Sequence, residues 1–299
     1  MTNQVTASQP STMMVVKNLL SSDKVKARFT EVMGDKAPQF MASITNAMQA
    51  SGGFKDVEPN SIVQAAFVAS TYDLPIDSNL GFAALVPYAK RQEDESGRWY
   101  EKKYCQFQMM YKGFIQLAIR TGEYKTMNCS EVYEDELISY NPITGECQFV
   151  NNFSDTKQRK EGNYDKVVGY YAWFKLRSGF EKSLYMSKED IINHAKKYSA
   201  SYRSDLDKGW SKSKWTTDFN AMALKTVIKM LLSKWGILSV QIQKAVADDQ
   251  KVFDEYGNED YSDNSPDVVE AADPFVQIET TAEGNTPDEK DAEAFDITG

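Results

Sequence analysis

The stretch FNAMALKTVIKMLLSKW, residues 219–235, limits the fold more than any other part of the chain. As an α-helix it puts Phe219, Met222, Ala223, Val227, Met230 and Leu231 on one stripe, with Leu224, Ile228 and Leu232 covering much of the opposite side. A helix that is apolar nearly all round is a buried helix, so the rest of the chain has to enclose it. Its polar band is narrow: Asp218, Lys225 and Lys229, with the two lysines one turn apart. A cation on a mostly buried helix needs a counter-charge, because an unpaired buried ammonium is expensive. For Lys225 that partner is either Asp218 or a phosphate of a bound ligand, and both readings stand at this point.

The enclosing elements follow from periodicity. Residues 1–20 show no regular pattern and read as a flexible N-terminus. In SSDKVKARFTEVMG, Ser22 can cap a helix whose Val25, Phe29 and Val32 share one face. A second helix follows Pro38, with Phe40, Met41, Ile44, Ala47 and Met48 as its buried stripe, and NSIVQAAFVASTYDL is a third, stopped before Pro75. Extended segments at about 82–90 and 98–109 then flank a charged turn ending at Gly97, which predicts a hairpin. In YKGFIQLAIRTG, Phe114, Leu117, Ala118 and Thr121 mark a helix core face, and Gly122 is a natural stop. TMNCSEVYEDELISYN and VVGYYAWFKLRSGFEKSLYM read as further strands, the second turning at Ser178–Gly179. SKEDIINHAKKYS opens with Ser187 and Asp190 at capping-box spacing. Hairpins alternate with helices without the regular spacing of a parallel sheet. The fold class expected is therefore α+β, with N-terminal helices and antiparallel β-hairpins packed with helices. Beyond residue 247 periodicity fades while charge, Pro and Gly rise. Residues 21–247 are thus expected to form one folded body, and 248–299 a disordered acidic C-terminal tail.

The formal net charge of -9 hides an asymmetry. From Asp248 onward there are 17 acidic and 2 basic residues, so 32 of the 34 basic and 26 of the 43 acidic residues precede it. A mildly basic body with an acidic tail suggests a domain that binds nucleic acid or another anion. The bias is sharpest between Lys196 and Lys234, where nine Lys and Arg face only Asp205, Asp207 and Asp218. There KKYSASYRSDLDKGWSKSKW supplies Lys196, Lys197, Tyr198, Tyr202, Arg203, Lys208, Lys212, Lys214 and Trp215 in a Ser- and Gly-rich linker. Cations for phosphates and flat rings for bases suit a sequence-tolerant single-strand groove, although an ordinary surface loop can look the same. On the helix at 111–121, Lys112, Gln116 and Arg120 lie four apart as one polar stripe. That stripe either tracks successive phosphates or is a solvated face with Arg120 favouring the helix C-terminus. Lys102 and Lys103 on the preceding strand and Lys125 just after the helix extend the set of candidate DNA contacts. The helices at 23–50 and 60–73 carry no basic stripe and are assigned to packing and subunit contact.

Enzyme signatures are thin. There is no GxxxxGK[ST] phosphate cradle, and the lone histidine, His194, stands in no nucleophile motif. Cys105, Cys129 and Cys147 are scattered without a CxxC pair, which argues against a zinc site and fits a reducing cytoplasm. Glu101-Lys102-Lys103, with Glu93, Asp94 and Glu95 across the turn, leaves a metal-dependent nuclease as an alternative, and a DNA-associated interaction adaptor is a second. No apolar run approaches the ~18 residues that cross a bilayer, and the N-terminal stretch lacks a signal-peptide pattern. Neither a catalytic residue nor a metal ligand is expected.

Three blocks carry a resemblance. MMYKGFIQLAIRTGEYKTMN and WTTDFNAMALKTVIKMLLSKWGILS resemble the two signature blocks of the RecT family of phage recombinases, and DLPIDSNLGFAALVPY resembles the segment that precedes them. The order matches, and the likeness covers roughly residues 20–245. It implies an ATP-independent single-strand annealing protein, functionally akin to the beta protein of phage lambda. Such a protein coats single-stranded DNA exposed by a partner 5'-3' exonuclease and pairs it with a complementary strand through an annealed duplex intermediate. It works as a ring or helical filament with a positive groove, alongside the host single-strand-binding protein, in the bacterial cytoplasm and away from membranes. No cofactor is required, with Mg²⁺ a candidate modulator of DNA binding. Lys112 and Arg120 fall in the first block and Asp218, Lys225 and Lys229 in the second, as DNA-contacting or, for Asp218, groove-supporting positions.

Overall fold

The computed structural model describes residues 10–77, 79–94, 96–151, 156–237, 240–249, 251–253 and 259–261. All of them lie in one unit, Met1–Ser265; Pro266–Gly299, the second unit, is outside the described residues. Four helices come first: α1 (Thr12–Ser21), α2 (Asp23–Met33), α3 (Ala37–Ser51) and α4 (Pro59–Thr71). A long hairpin, β1 (Ala83–Glu93) and β2 (Trp99–Met109), leads into α5 (Tyr111–Arg120). Then come β3 (Tyr124–Tyr133), β4 (Leu137–Asn141), β5 (Glu146–Phe149), α6 (Lys157–Glu161), β6 (Val167–Leu176) and β7 (Glu181–Ser187). The chain continues as α7 (Lys188–Tyr198), α8 (Ala200–Lys208), α9 (Lys214–Thr217), α10 (Phe219–Trp235), α11 (Val240–Asp248), β8 (Lys251–Phe253) and β9 (Glu259–Tyr261). The architecture is α+β, and every strand pairing is antiparallel.

The buried helix is where its pattern requires. α10 packs on β6, β7, β3 and α5, with Met222 through Ile228 and Leu231–Leu232 buried. The three-stranded sheet β3-β6-β7 supplies one wall, because Tyr170, Ala172, Phe174 and Leu176 of β6 alternate toward the core. The hairpin pairs without a slip from Ala83↔Met109 to Glu93↔Trp99. Its turn is fastened by Asp94, whose carboxylate accepts from the amides of Ser96 and Arg98, both at 2.9 Å. Ser187 and Asp190 form the reciprocal capping box expected at the start of α7.

Both ends of the folded body differ from the sequence-based boundaries. The segment expected to be flexible to residue 20 is helical from Thr12: Ser11 accepts from the Met14 amide at 3.3 Å, and Val16 and Leu20, four apart, are buried. The segment assigned to the acidic tail from residue 248 begins inside the core. The Asp249 carboxylate, 1% exposed, accepts from Lys225 Nζ at 2.8 Å, Lys229 Nζ at 3.1 Å and the Met109 amide at 3.1 Å. Beside it, Asp248 accepts from the Tyr72 hydroxyl and pairs with Lys251 at 2.8 Å. β8 then adds to the hairpin sheet through Gln106↔Val252. Lys225 thus pairs with the acidic residue that follows α11, a partner that neither sequence reading named. The disorder expected for the rest of the tail concerns residues 262–299, which lie outside the described residues.

Burial alone would raise the Asp249 carboxyl, but the attraction and hydrogen bonds of two ammoniums outweigh it and hold it below its ordinary value of 3.8. A carboxyl depressed in the folded state contributes stability that is complete above its unfolded value and is lost as pH falls through the folded one. Acid titration is therefore expected to weaken the fold only below pH ~4 through this group. Asp249→Ala leaves two interior cations facing each other and should cost roughly 3–5 kcal/mol in urea unfolding. A chain ended at Ala247 should lose its cooperative transition. An unchanged urea midpoint in either case would show that the carboxylate is not structural.

Candidate nucleic-acid interface

The first signature block is built around a close approach. At Gly113 a Cβ would lie 2.2 Å from the Phe82 carbonyl oxygen and 2.5 Å from Met109 Sδ, so only glycine lets α5 start against the chain entering β1. Phe114, Leu117 and Ala118 are buried, as their spacing predicts. The polar stripe opposite them is split. Lys112 is exposed, with its stem against Gly81 and its ammonium 6.0 Å from the Tyr111 ring centroid. Gln116 is half-buried. Arg120 is exposed too, but it donates to the backbone oxygens of Tyr72 at 2.7 Å and Asp73 at 2.9 Å. These two carbonyls lie past the end of α4, so the guanidinium acts as a clamp between helices.

In the second block, Lys225 and Lys229 both pair with the Asp249 carboxylate. Lys229 is the more accessible, with a side chain 17% exposed. It lies near His194, where burial first, then Lys229 and Lys197, push the imidazole down to about 4. That ring is neutral at neutral pH and adds nothing to the positive field. Asp218 is exposed at the N-terminal end of α10 and makes no side-chain cap bond.

The stretch expected to be a flexible linker is ordered. Ser199 caps α8 by accepting from the Tyr202 amide at 3.2 Å, and Gly209, at φ 64°, ends it. Tyr202 is buried, and Trp215, 6% exposed, packs between the rings of Tyr202 and Phe219 at 6.0 and 5.8 Å. Their spacing puts both rings on the inner side of α8 and α9. Arg203 donates to the carbonyls of Lys196 and Lys197 at 2.9 and 2.8 Å and so closes the end of α7.

The loop between α8 and α9 is organised by Asp205. Its buried carboxylate accepts from the Lys212 amide at 2.9 Å, the Ser213 amide at 2.7 Å and the Thr216 hydroxyl at 2.7 Å. Burial opposes its ionisation, but the hydrogen bonds from Thr216, Ser213 and Lys212 prevail and hold it at about 2. On this fastened loop Trp210 is 44% exposed, with Lys212 Nζ 3.7 Å and Lys208 Nζ 4.5 Å from its ring centroid. Lys214 is exposed at the start of α9. Periodicity could not separate Trp210 from Trp215, because the carboxylate that aims the loop is five residues before the first and ten before the second.

The remaining candidates are dispersed. Lys102 pairs with Glu58 at 3.4 Å and Lys103 is half-buried, its carbonyl accepting from the Glu58 amide at 2.8 Å. Lys125 is exposed at the start of β3, and Lys197 is exposed at the end of α7 with its ammonium 5.0 Å from the Tyr198 ring centroid. Burial pushes the thiols of Cys105 and Cys129 far up and that of Cys147 up to about 11, so none is a thiolate near neutral pH. No helix among the described residues is long and apolar enough to cross a membrane.

Comparison with known proteins agrees with the two blocks. The family model described as RecT family matches residues 38–269. The chain is 40% identical over 285 residues to "Uncharacterized protein YqaK" of Bacillus subtilis (strain 168), across 93% of this chain and 89% of that protein. It is 28% identical over 191 residues to "Protein RecT" of Escherichia coli (strain K12), across 64% of this chain and 63% of that protein. The two signature blocks are joined in space, since Asp249 binds Met109 beside the first and Lys225 in the second, and the match spans both. The chain therefore belongs to the RecT family, the single-strand annealing proteins of DNA recombination.

Proposed function

We propose that this protein binds single-stranded DNA without ATP and anneals it to a complementary strand as a ring or helical filament. The observation that carries the reading is the family match across residues 38–269, joined to a body whose outward side chains include the cations Lys112, Lys125, Lys197, Lys212 and Lys214. Annealing needs affinity without sequence preference, so contacts go to phosphate and sugar while base edges stay free to test a partner. Counterion release supplies much of that affinity, and linking protomers along one strand multiplies it. The strands come from a 5'-3' exonuclease and are shared with the host single-strand-binding protein in the bacterial cytoplasm. The reaction needs no cofactor, and Mg²⁺ modulates DNA binding only.

The expected result is ATP-free acceleration of duplex formation between complementary oligonucleotides, with rings or filaments in electron micrographs. Lys112→Ala and Lys125→Ala should each weaken binding evenly across sequences and reduce the salt slope by about 0.7. Arg120→Ala should instead lower thermal stability by about 1–3 kcal/mol with a smaller effect on affinity, because it removes hydrogen bonds to carbonyls. A requirement for ATP, or binding indifferent to salt, would refute the reading.

Residues 262–299 hold eleven acidic residues and one lysine, Lys290, and include DPFVQIE at 273–279. The tail competes with DNA for the cationic surface or presents that segment to a replication partner. Deletion from Ser262 onward, which spares Asp248 and Asp249, should raise affinity for single strands at low salt. Unchanged affinity together with unchanged partner binding would remove the tail from the mechanism.

A further inference from the structure

At the loop Gly209–Ser213 an exposed aromatic ring and two lysines sit on a backbone fastened by hydrogen bonds. Here a buried carboxylate, Asp205, is spent on fixing the backbone amides of Lys212 and Ser213, while the Trp210 amide donates to the Asp205 carbonyl at 2.9 Å. Fastening a short loop through an interior charge is a costly way to make a plain connection, and it leaves Trp210 held outward. Lys208 and Lys212 lie against its ring and Lys214 follows on α9; the acidic neighbour at the surface is Asp207.

We propose that Trp210 is a base-stacking platform for single-stranded DNA, and that Lys208 and Lys212 are parked on its ring until a strand arrives. The inference rests on the annealing reading and names a surface within it. In the free protein each ammonium gains only about a two- to fivefold preference from an exposed ring. A stacked base is worth about five- to 150-fold, and a phosphate attracts a released ammonium more strongly than the ring does. When DNA docks, a base therefore displaces the lysines from the indole and they move onto the flanking phosphates. Stacking uses the face of a base and leaves its pairing edge open, which is what a protein that must test complementarity requires.

The test compares an oligothymidylate with an abasic deoxyribose-phosphate oligomer of the same length, which keeps the phosphates and removes the rings. Trp210→Ala should weaken oligothymidylate binding at least fivefold and abasic binding less than twofold, while Trp210→Phe should retain most of the affinity. Lys208→Ala with Lys212→Ala should weaken both ligands by the same factor. Because Trp210→Ala could perturb the loop, a second reading uses fluorescence. Oligothymidylate, and not the abasic oligomer, should quench the intact protein, and Trp210→Phe should abolish that part of the quenching. Equal losses for both ligands with Trp210→Ala, or quenching that survives Trp210→Phe, would overturn the platform while leaving annealing intact. Failure of the unaltered protein to bind either oligomer would sink the annealing reading itself.

Discussion

One interior carboxylate holds this fold together. Asp249 receives two ammoniums from successive turns of α10 and the amide of Met109, which leads into α5. Removing it takes from Lys225 and Lys229 the counter-charge that they share, and breaking such a pair from one side is far costlier than never having had it. Its neighbour Asp248 extends the same junction to Tyr72 at the end of α4, where burial first and the Asp248 hydrogen bond second push the phenol well up. Arg120 reaches the same corner from α5 through the carbonyls of Tyr72 and Asp73. The N-terminal helices, the hairpin, both signature helices and the chain after α11 thus meet around a few charges.

This arrangement sorts the basic residues into two populations. Lys225, Lys229, Arg120 and Arg203 are held by acceptors within the chain, the two lysines in the interior and the two arginines at the surface. Lys112, Lys125, Lys197, Lys212 and Lys214 point outward and carry the electrostatic reach of the surface. The acidic surplus divides in the same way. Asp248 and Asp249 are interior counter-ions, so the first two acids of the apparent tail neutralise the body and only the later ones can oppose DNA.

What the sequence disclosed and withheld follows from the range of the interactions. Helix α10, the first hairpin, the capping box at Ser187 and the core faces of α3, α4 and α5 are written in spacings of two to four residues, which a single pass along the chain detects. The Lys225 partner lies 24 residues away across a break in the pattern, and the carboxylate bound to the Met109 amide lies 140 residues away. No local rule reaches that far. α8 hid for a different reason: ASYRSDLDK has weak helix formers and little apolar surface, and it is helical because Ser199 and Gly209 close its ends while Tyr202 docks on Trp215. α1 escaped because only Val16 and Leu20 mark its inner face.

The two signature blocks look, in sequence, like two basic patches. In space they are one packing unit, and the residues that make them recognisable do mostly structural tasks. Gly113 permits contact with Phe82, Arg120 clamps α4, and Lys225 with Lys229 binds a carboxylate from a third region. A protein that must hold a strand without reading it gains from this division. Cations locked inside make a scaffold that keeps its shape as salt varies, because buried pairs are little screened. Cations left outside answer to salt far more than those buried pairs do. Interior and surface thus draw on the same kind of side chain: Asp249 takes the ammoniums of Lys225 and Lys229 inside, while Asp205 binds only the backbone of Lys212 and leaves its ammonium outside.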